Sequence, residues 1–283
     1  RIKGTTVMNS NITTSGSYAY SIYLRYSDSG NISSNTITTS GDYARSVYIY
    51  VSNANNISSN TITTSDKWVY GIYLYWSDSN TITDNNITTS GSYACGVPLT
   101  ESNSNNITSN TITTSGDYAD GISPEYSDSN NITSNTITTS GDYADGIRFY
   151  YSHSNNITSN TITTSGSSAY GIYFEISDNN KFYDSTINAT QDYDIYIEGT
   201  NNYTNYLINC TFNKSDVGFY SGTETDKIEV QWYLDVYVND TTGNPVQNAN
   251  VTGYNNTNAL VFSALTASSG YIPTQVLTEY MQN

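Results

Sequence analysis

"NNITSNTITTSGDYAD" fills residues 105–120, and the same sixteen letters return at 130–145. Near-copies recur along most of the chain. The marker T-S-G-x-Y-A has its threonine at Thr14, Thr39, Thr64, Thr89, Thr114, Thr139 and Thr164, so every interval is 25 residues. Only the copies at Thr64 (TSDKWV) and Thr164 (TSGSSA) drift. A fixed period of this length marks a repeat architecture, in which no unit can bury its apolar face alone.

The apolar residues keep the same ruler. One column is Val7, Ile32, Ile57, Ile82, Ile107, Ile132, Ile157, Phe182 and Leu207; a second is Ile12, Ile37, Ile62, Ile87, Ile112, Ile137, Ile162, Ile187 and Phe212. A third is Ile22, Val47, Ile72, Val97, Ile122, Ile147, Ile172 and Ile197; a fourth is Leu24, Ile49, Leu74, Leu99, Pro124, Phe149 and Phe174. Each sits in a short stretch such as "NIT", "TIT" or "GIYLY", alternating with polar or aromatic neighbours. That is the period of a strand with one face in and one face out. The absence of a 3.6-residue period excludes helical repeats. Three short strands per 25 residues, separated by Ser, Asn and Gly turns, predict one coil of a parallel β-helix, with like residues about 4.8 Å apart along the axis. Asn35, Asn60, Asn85, Asn110, Asn135 and Asn160 are expected to form an asparagine ladder at a turn, and Ser27, Ser52, Ser77, Ser102, Ser127, Ser152 and Ser177 a serine ladder. The expected fold is all-β: a parallel β-helix of about eight to nine coils over residues 1–222.

From residue 223 the period disappears. "EVQWYLDVYVNDTTGNPVQNANVTGYNN" (229–256) alternates Trp232, Leu234, Val236 and Val238 against polar neighbours, turns at Thr242–Pro245 and resumes with Val246, Ala249 and Val251. Residues 223–283 are expected to form a small immunoglobulin-like or carboxypeptidase-regulatory-like β-sandwich. Roughly four strands stand where about seven are needed, so the sandwich is truncated or completed by a neighbouring chain. The opening "RIKGTTVMNS" reads as mid-repeat, so a mature or truncated fragment is expected.

Composition narrows the partners. The 283 residues carry 9 Lys+Arg against 25 Asp+Glu, a net charge of −16, and no Lys or Arg lies between Lys67 and Arg148. Nucleic acid is excluded as a partner, since phosphate neutralisation needs clustered cations. No apolar run reaches about 18 residues, so no membrane span is expected. Cys95 and Cys210 lie 115 residues apart (210 less 95). That is about 22 Å of axis, where a disulfide needs Cα atoms within about 7 Å; no disulfide is expected.

The coil with "NNITSNTI" and "YGIYLYWSDSNTIT" resembles the pectin-lyase-like right-handed parallel β-helix repeats of archaeal surface proteins, especially those of methanogens. The tail "WYLDVYVNDTTGNPVQNANVTGYN" resembles the small β-sandwich that follows such repeats there. The right hand of the helix is what the resemblance implies. It further implies relatives among polysaccharide lyases, copper-delivery proteins, adhesins and surface-layer or sheath proteins.

Lyases on this fold use Arg or Lys to abstract a proton, usually beside calcium, and the central coils are read as having neither. The lone histidine, His153, takes a slot held elsewhere by Asp28, Asn53, Asp78, Asn103, Asp128 and Asp178, and reads as a ladder member. One His, two Cys and two Met do not make a copper site. Catalytic sites interrupt a repeat, yet the acidic pair of the "GDYADG" loops, Asp117 and Asp120, is itself repeated as Asp142 and Asp145. No catalytic residue is therefore assigned and no enzyme is expected. Stacked one coil apart, those four aspartates are the candidate site for a cation such as Ca2+.

Sequons begin at Asn31, Asn56, Asn106, Asn131, Asn156, Asn188, Asn202, Asn213, Asn239, Asn250 and Asn255, among others. They are glycosylation candidates, with partial occupancy expected because glycans on adjacent rungs would collide. Tyr23, Tyr48, Tyr50, Tyr73, Tyr75, Tyr150 and Tyr173 form an outward aromatic face suited to a neighbouring subunit or a glycan. Rows of outward threonines (Thr36, Thr61, Thr111, Thr136 and Thr161 beside Thr38, Thr63, Thr113, Thr138 and Thr163) offer an ice-binding face as a minor alternative, although Thr suits any exposed strand. The reading is a non-catalytic, extracellular, cell-surface structural protein: part of a surface layer, sheath, filament or adhesin stalk. Its expected partners are copies of itself or other surface proteins. The alternative is a glycan-binding or glycan-processing β-helix module.

Overall fold

The computed structural model of the chain describes residues 2–199, 201–220 and 225–282. Those residues are all-β, without a helix, and form a right-handed parallel β-helix of nine coils followed by a smaller unit. The fifth coil illustrates the rest: Asn106–Thr108 lies in a first sheet, Thr111–Thr114 in a second and Ile122–Glu125 in a third. The three sheets hold nine, eight and nine of the helix's strands. Every pairing between coils is parallel, and the register is 25 residues almost throughout: Ile107 pairs with Ile132, Ile112 with Ile137, Ile122 with Ile147.

The core is these columns stacked. Ile107, Ile132 and Ile157 are fully buried, as are Ile112, Ile137, Ile162, Ile122, Ile147, Phe149 and Phe174. One column differs from expectation at its end. The loop preceding the eighth coil's third strand is two residues short, so Ile195, not Ile197, stands on Ile172, and Ile197 stands on Phe174. The shortened loop slides the strand by two residues, which preserves which side chains point inward.

Buried polar ladders fill the turns. Asn110 Nδ2 donates to Asn135 Oδ1 at 3.0 Å and to Ile82 O at 2.9 Å, while Asn110 Oδ1 accepts from Asn85 N and Nδ2. A second inward ladder, Asn55, Asn80, Asn105, Asn130, Asn155, Asn180 and Asn205, was not read from the sequence, though it obeys the same period. Serine backbone amides likewise donate to the next coil's hydroxyl, as Ser102 N does to Ser127 Oγ at 3.0 Å. Buried polar groups are tolerated here because most find a partner one coil away; Asn130 Nδ2, Thr64 Oγ1 and Thr89 Oγ1 are exceptions.

The corners need left-handed residues. In the fifth coil Ser109, Tyr118, Tyr126 and Ser129 have φ of 56°, 57°, 48° and 58°. That backbone is unfavourable for a side chain as bulky as tyrosine. It is held because the amide still pairs across coils (Tyr118 N to Asp142 O, 2.8 Å) and the rings stack on their neighbours.

The larger unit ends at Ile228 and the smaller is Glu229–Met281; the boundary expected between residues 222 and 223 lies outside the described residues. In the smaller unit Asn250–Tyr254 pairs antiparallel with Leu260–Leu265, with an irregularity at Gly253 and Tyr254. Asp240 Oδ1 accepts from Thr242 N, Thr242 Oγ1 and Asn244 N, which holds its carboxyl down at about 2.

Candidate functional site

The outward face of the third sheet carries the site. Its strands present in register Tyr23, Tyr48, Tyr73, Pro98, Ser123, Arg148, Tyr173 and Tyr196. Over the first coils this is a floor of rings: Tyr48 stacks on Tyr23 at 5.0 Å and on Tyr73 at 5.2 Å, with the Arg45 guanidinium over Tyr48 at 4.6 Å. Pro98 and Ser123 then interrupt the floor. These short side chains leave a depression of about 330 Å³ between Tyr73 and Arg148, lined also by Tyr70, Cys95, Thr100, Asp120 and Glu125. One long wall of it is the turn ladder Trp68, Tyr93, Tyr118 and Tyr143, stacked at 4.3, 4.8 and 4.8 Å. A second depression of about 330 Å³ lies on the other side of Arg148, among Tyr143, Asp145, Ser168, Tyr170, Tyr173 and Glu198.

Two carboxyls are buried beside these hollows. Asp120 and Asp145 are each 5% exposed, on successive rungs. Asp145 N donates to Asp120 Oδ1 at 2.9 Å, and Tyr170 N to Asp145 Oδ1 at 2.8 Å. Burial pushes Asp120 up to about 6, against the pull of Arg148, of the Asp145 amide and of the Ser123 hydroxyl. Asp145 is raised well above the usual carboxylate range, by burial first and then by the charge of Asp120. Burial also raises Glu125. Arg148 donates to Glu175 Oε2 at 2.6 Å and lies over the Tyr173 ring at 5.3 Å. Burial raises the Tyr70, Tyr73 and Tyr173 phenols and the Cys95 thiol, keeping all four neutral. The assembly is a carboxyl pair able to hold and release a proton near neutrality, a fixed cation beside it, and aromatic walls.

The four aspartates read as one cation site divide into two pairs. Asp120 and Asp145 line the hollows, whereas Asp117 and Asp142 are exposed, with Asp142 N donating to Asp117 Oδ1 at 3.1 Å. Among the described residues no three His, Cys, Asp or Glu side chains stand together as a metal site. His153 takes its ladder slot: Nδ1 accepts from Asp178 N at 3.0 Å, as Asp128 Oδ1 accepts from His153 N. Cys95 lines the groove, whereas Cys210 is buried and points its thiol at Ile208 O. The sequon asparagines Asn31, Asn56, Asn106, Asn131 and Asn156 run up the first sheet, and Asn156 Nδ2 already donates to Asn131 Oδ1 at 3.0 Å. Asn188 sits beside Thr163 on the second sheet; Asn202 and Asn213 are exposed in the ninth coil, and Asn239, Asn250 and Asn255 in the smaller unit. The threonine rows lie in register on the second sheet, facing outward. The aromatic face is present, but stacking consumes much of it: Tyr48 is only 7% exposed.

Sequence reasoning missed Ser123, Glu125 and Arg148 because it followed what repeats. The available signal was the opposite one, the columns where tyrosine gives way. The expectation of a non-catalytic chain is accordingly corrected. The repeat is broken at the groove, an arginine faces it, and the fold is shared with polysaccharide-modifying enzymes, as follows.

A family model described as periplasmic copper-binding protein (NosD) matches residues 2–192 and, in a second overlapping alignment, 70–266. Among solved structures, a mutant of the periplasmic alginate epimerase AlgG aligns with a TM-score of 0.53 at 16% identity, covering 77% of this chain. This chain spans 57% of that enzyme's length. The A-module of the Azotobacter vinelandii mannuronan C-5 epimerase AlgE4 aligns at 10% identity and TM-score 0.38, covering 80% of this chain and 76% of its own. The Acinetobacter baumannii phage AM24 tailspike protein aligns at 8% identity and TM-score 0.38, covering 98% and 68%. No match is found among curated proteins. At these identities the shared feature is the pectin-lyase-like right-handed β-helix itself.

Proposed function

The chain belongs to the family described as periplasmic copper-binding protein (NosD), and from its groove we propose that it is an envelope β-helix module that binds a polysaccharide along its third sheet and cleaves it by acid–base catalysis. The extracytoplasmic setting is supported by the family description and by the periplasmic epimerase of the same fold. An archaeal cell surface and a scaffolding role belong to the same proposal as its setting.

Copper does not fit the residues present. Met8 is in the first coil, Cys95 in the fourth, His153 in the loop between the sixth and seventh, and Cys210 in the ninth, each with its own neighbours. Soft-metal sites need such donors on one centre. No step is therefore routed through a metal.

The observation that carries the reading is the break in the tyrosine floor at Pro98, Ser123 and Arg148, beside Asp120 and Asp145. Two carboxyls one rung apart in an apolar surrounding cannot both ionise cheaply. Near neutrality one retains its proton and serves as the acid toward a leaving glycosidic oxygen. At one rung's spacing, about 5 Å, its ionised partner attacks the anomeric carbon as the glycosidic oxygen leaves; water then releases the glycosyl-enzyme, giving its proton to the first carboxyl. Arg148 keeps the anionic member of the pair stable and fixes a substrate hydroxyl or ring oxygen. The walls of rings align the sugar chain.

The smaller unit is read as part of a β-sandwich completed by a neighbouring chain. What supports this is the exposure of Leu260 and Leu265, and of Val261 and Val276 on an apolar hollow of about 650 Å³.

The experiment is digestion of a polysaccharide panel with the purified chain, scoring new reducing ends. The wild type is expected to release them from at least one substrate. Asp120→Asn and Arg148→Ala are each expected to slow release by roughly 10²-fold or more. Retention of a glycan without new ends would leave binding and overturn cleavage; neither retention nor cleavage would overturn both.

A further inference from the structure

We infer that Ser168 marks a sugar subsite, in which one pyranose unit bearing no acidic group stacks on the open face of Tyr143. This rests on the polysaccharide reading above and adds the position and the substrate class.

Tyr18, Tyr43, Trp68, Tyr93, Tyr118 and Tyr143 occupy one slot on six successive coils. Neighbouring rings are nearly parallel, tilted by 4–10° from one to the next and stacked 4.3–6.3 Å apart. Each ring inside the stack has both faces covered by its neighbours and offers solvent only an edge. The seventh coil breaks the series with Ser168. Its backbone is unchanged: φ is 53° against 57° for Tyr118 and Tyr143. The bond Tyr143 N to Ser167 O at 2.9 Å repeats that of Tyr118 N to Asp142 O. Only the ring is missing. The vacated rung opens into the hollow of about 330 Å³ between Tyr143 and the Tyr170–Tyr196 stack. The loss shows in exposure: Tyr143, at the end of the stack, is 51% exposed, against 44% for Tyr118 inside it.

A gap one ring thick beside an aromatic face fits a flat saturated ring whose axial C–H groups meet the electron-rich face. The volume lies within the range of small-ligand sites, about 300–1,000 Å³. Asp145 and Glu198 line the gap and offer carboxyl oxygens that accept hydrogen bonds from sugar hydroxyls. The same carboxyls reject an acidic sugar. Arg148, the one cation among the described residues lining the gap, already holds Glu175 and shares the hollow with Asp145 and Glu198, so a uronate would compete with three carboxyls for it. A neutral pyranose meets no such repulsion.

Restoring the missing ring is the test. Ser168→Tyr places at this rung the residue that five other coils carry there in the same backbone conformation, so the fold is expected to persist with an unchanged or raised melting temperature. Wild type, Ser168→Tyr and Ser168→Ala would be compared for retention on immobilised neutral and uronate oligosaccharides. We expect wild type and Ser168→Ala to retain a neutral oligosaccharide and Ser168→Tyr to bind it roughly tenfold or more weakly. Should Ser168→Tyr not fold, Tyr143→Ala must lose retention while Tyr143→Phe keeps it. A folded Ser168→Tyr that binds like wild type, or a Tyr143→Ala that does, overturns the subsite alone. Wild-type retention of acidic oligosaccharides only overturns the neutral class. A wild type that retains no glycan overturns the underlying reading.

Discussion

At Asn110 and Asp120, single side chains show how much of this fold depends on partners one coil away. Asn110 is 1% exposed and bonds at both amide atoms to the coils on either side of it. Asn110→Ala removes the donor to the Ile82 carbonyl and the acceptor of the Asn85 backbone amide together, and is expected to lower stability by about 2–3 kcal/mol, read from the denaturant midpoint. Asp120 works in the other direction. Folded, it holds its proton to about pH 6, against 3.8 for an ordinary aspartate. The folded state therefore binds the extra proton between those values. Stability falls as pH rises through that window and stays lower above it. Asp120→Asn removes the penalty and relieves Asp145 of a neighbouring charge. It is expected to gain on the order of 1–3 kcal/mol at pH 7 and nothing below about pH 4, by thermal melts across pH.

At the scale of the strand, one residue separates core from solvent. Ile137 is fully buried and Thr138, its neighbour on the Thr136–Thr139 strand, is exposed. Ile137→Ala opens a cavity in a stacked column and should cost about 2–5 kcal/mol, whereas Thr138→Ala should stay within about 0.5 kcal/mol. Equal effects, measured by denaturation, would contradict the column. The turn between second and third sheets has a steric rule of its own: a Cβ on Gly141 would fall 2.0 Å from Gly116 O. Coils approach closely enough there to favour glycine, which is why "TSG" recurs; in the third coil Asp66 takes the slot and its carboxylate accepts from Gly41 N at 2.6 Å. The rings at Tyr118 and Tyr143 were visible as letters, but not as a stack in left-handed backbone. That arrangement follows from the coil spacing, which brings each ring within 4.8 Å of the next.

For the helix as a whole, stability is a sum over coils and their interfaces. Deleting residues 26–50 removes one whole coil and joins residue 25 to residue 51 in the same phase. Melting is expected to remain cooperative, with somewhat lower stability and unchanged glycan retention, because the groove's lining starts at Trp68 and is left whole. Deleting residues 26–49 instead shifts the phase by one. The mispaired strand would turn its aliphatic side chains to water, so circular dichroism should show loss of the native transition. Retained folding in the second variant would contradict strict register.

The sequence by itself determined the coil, its length, the register and the buried columns, because a 25-residue period and a two-residue alternation are local facts that each coil repeats. Even the two-residue slip at Ile195 obeyed the same parity. The second asparagine ladder was equally present in the letters. What only the tertiary structure decided was the groove. Cys95, Asp120, Asp145 and Arg148 are 25, 25 and 3 residues apart along the chain and ordinary as letters. Stacking sets them side by side, burial shifts their carboxyls, and the shortness of Pro98, Ser123 and Ser168 opens space. Proton affinity and empty volume belong to neighbours across coils rather than to any one residue, so no reading along the chain could supply them.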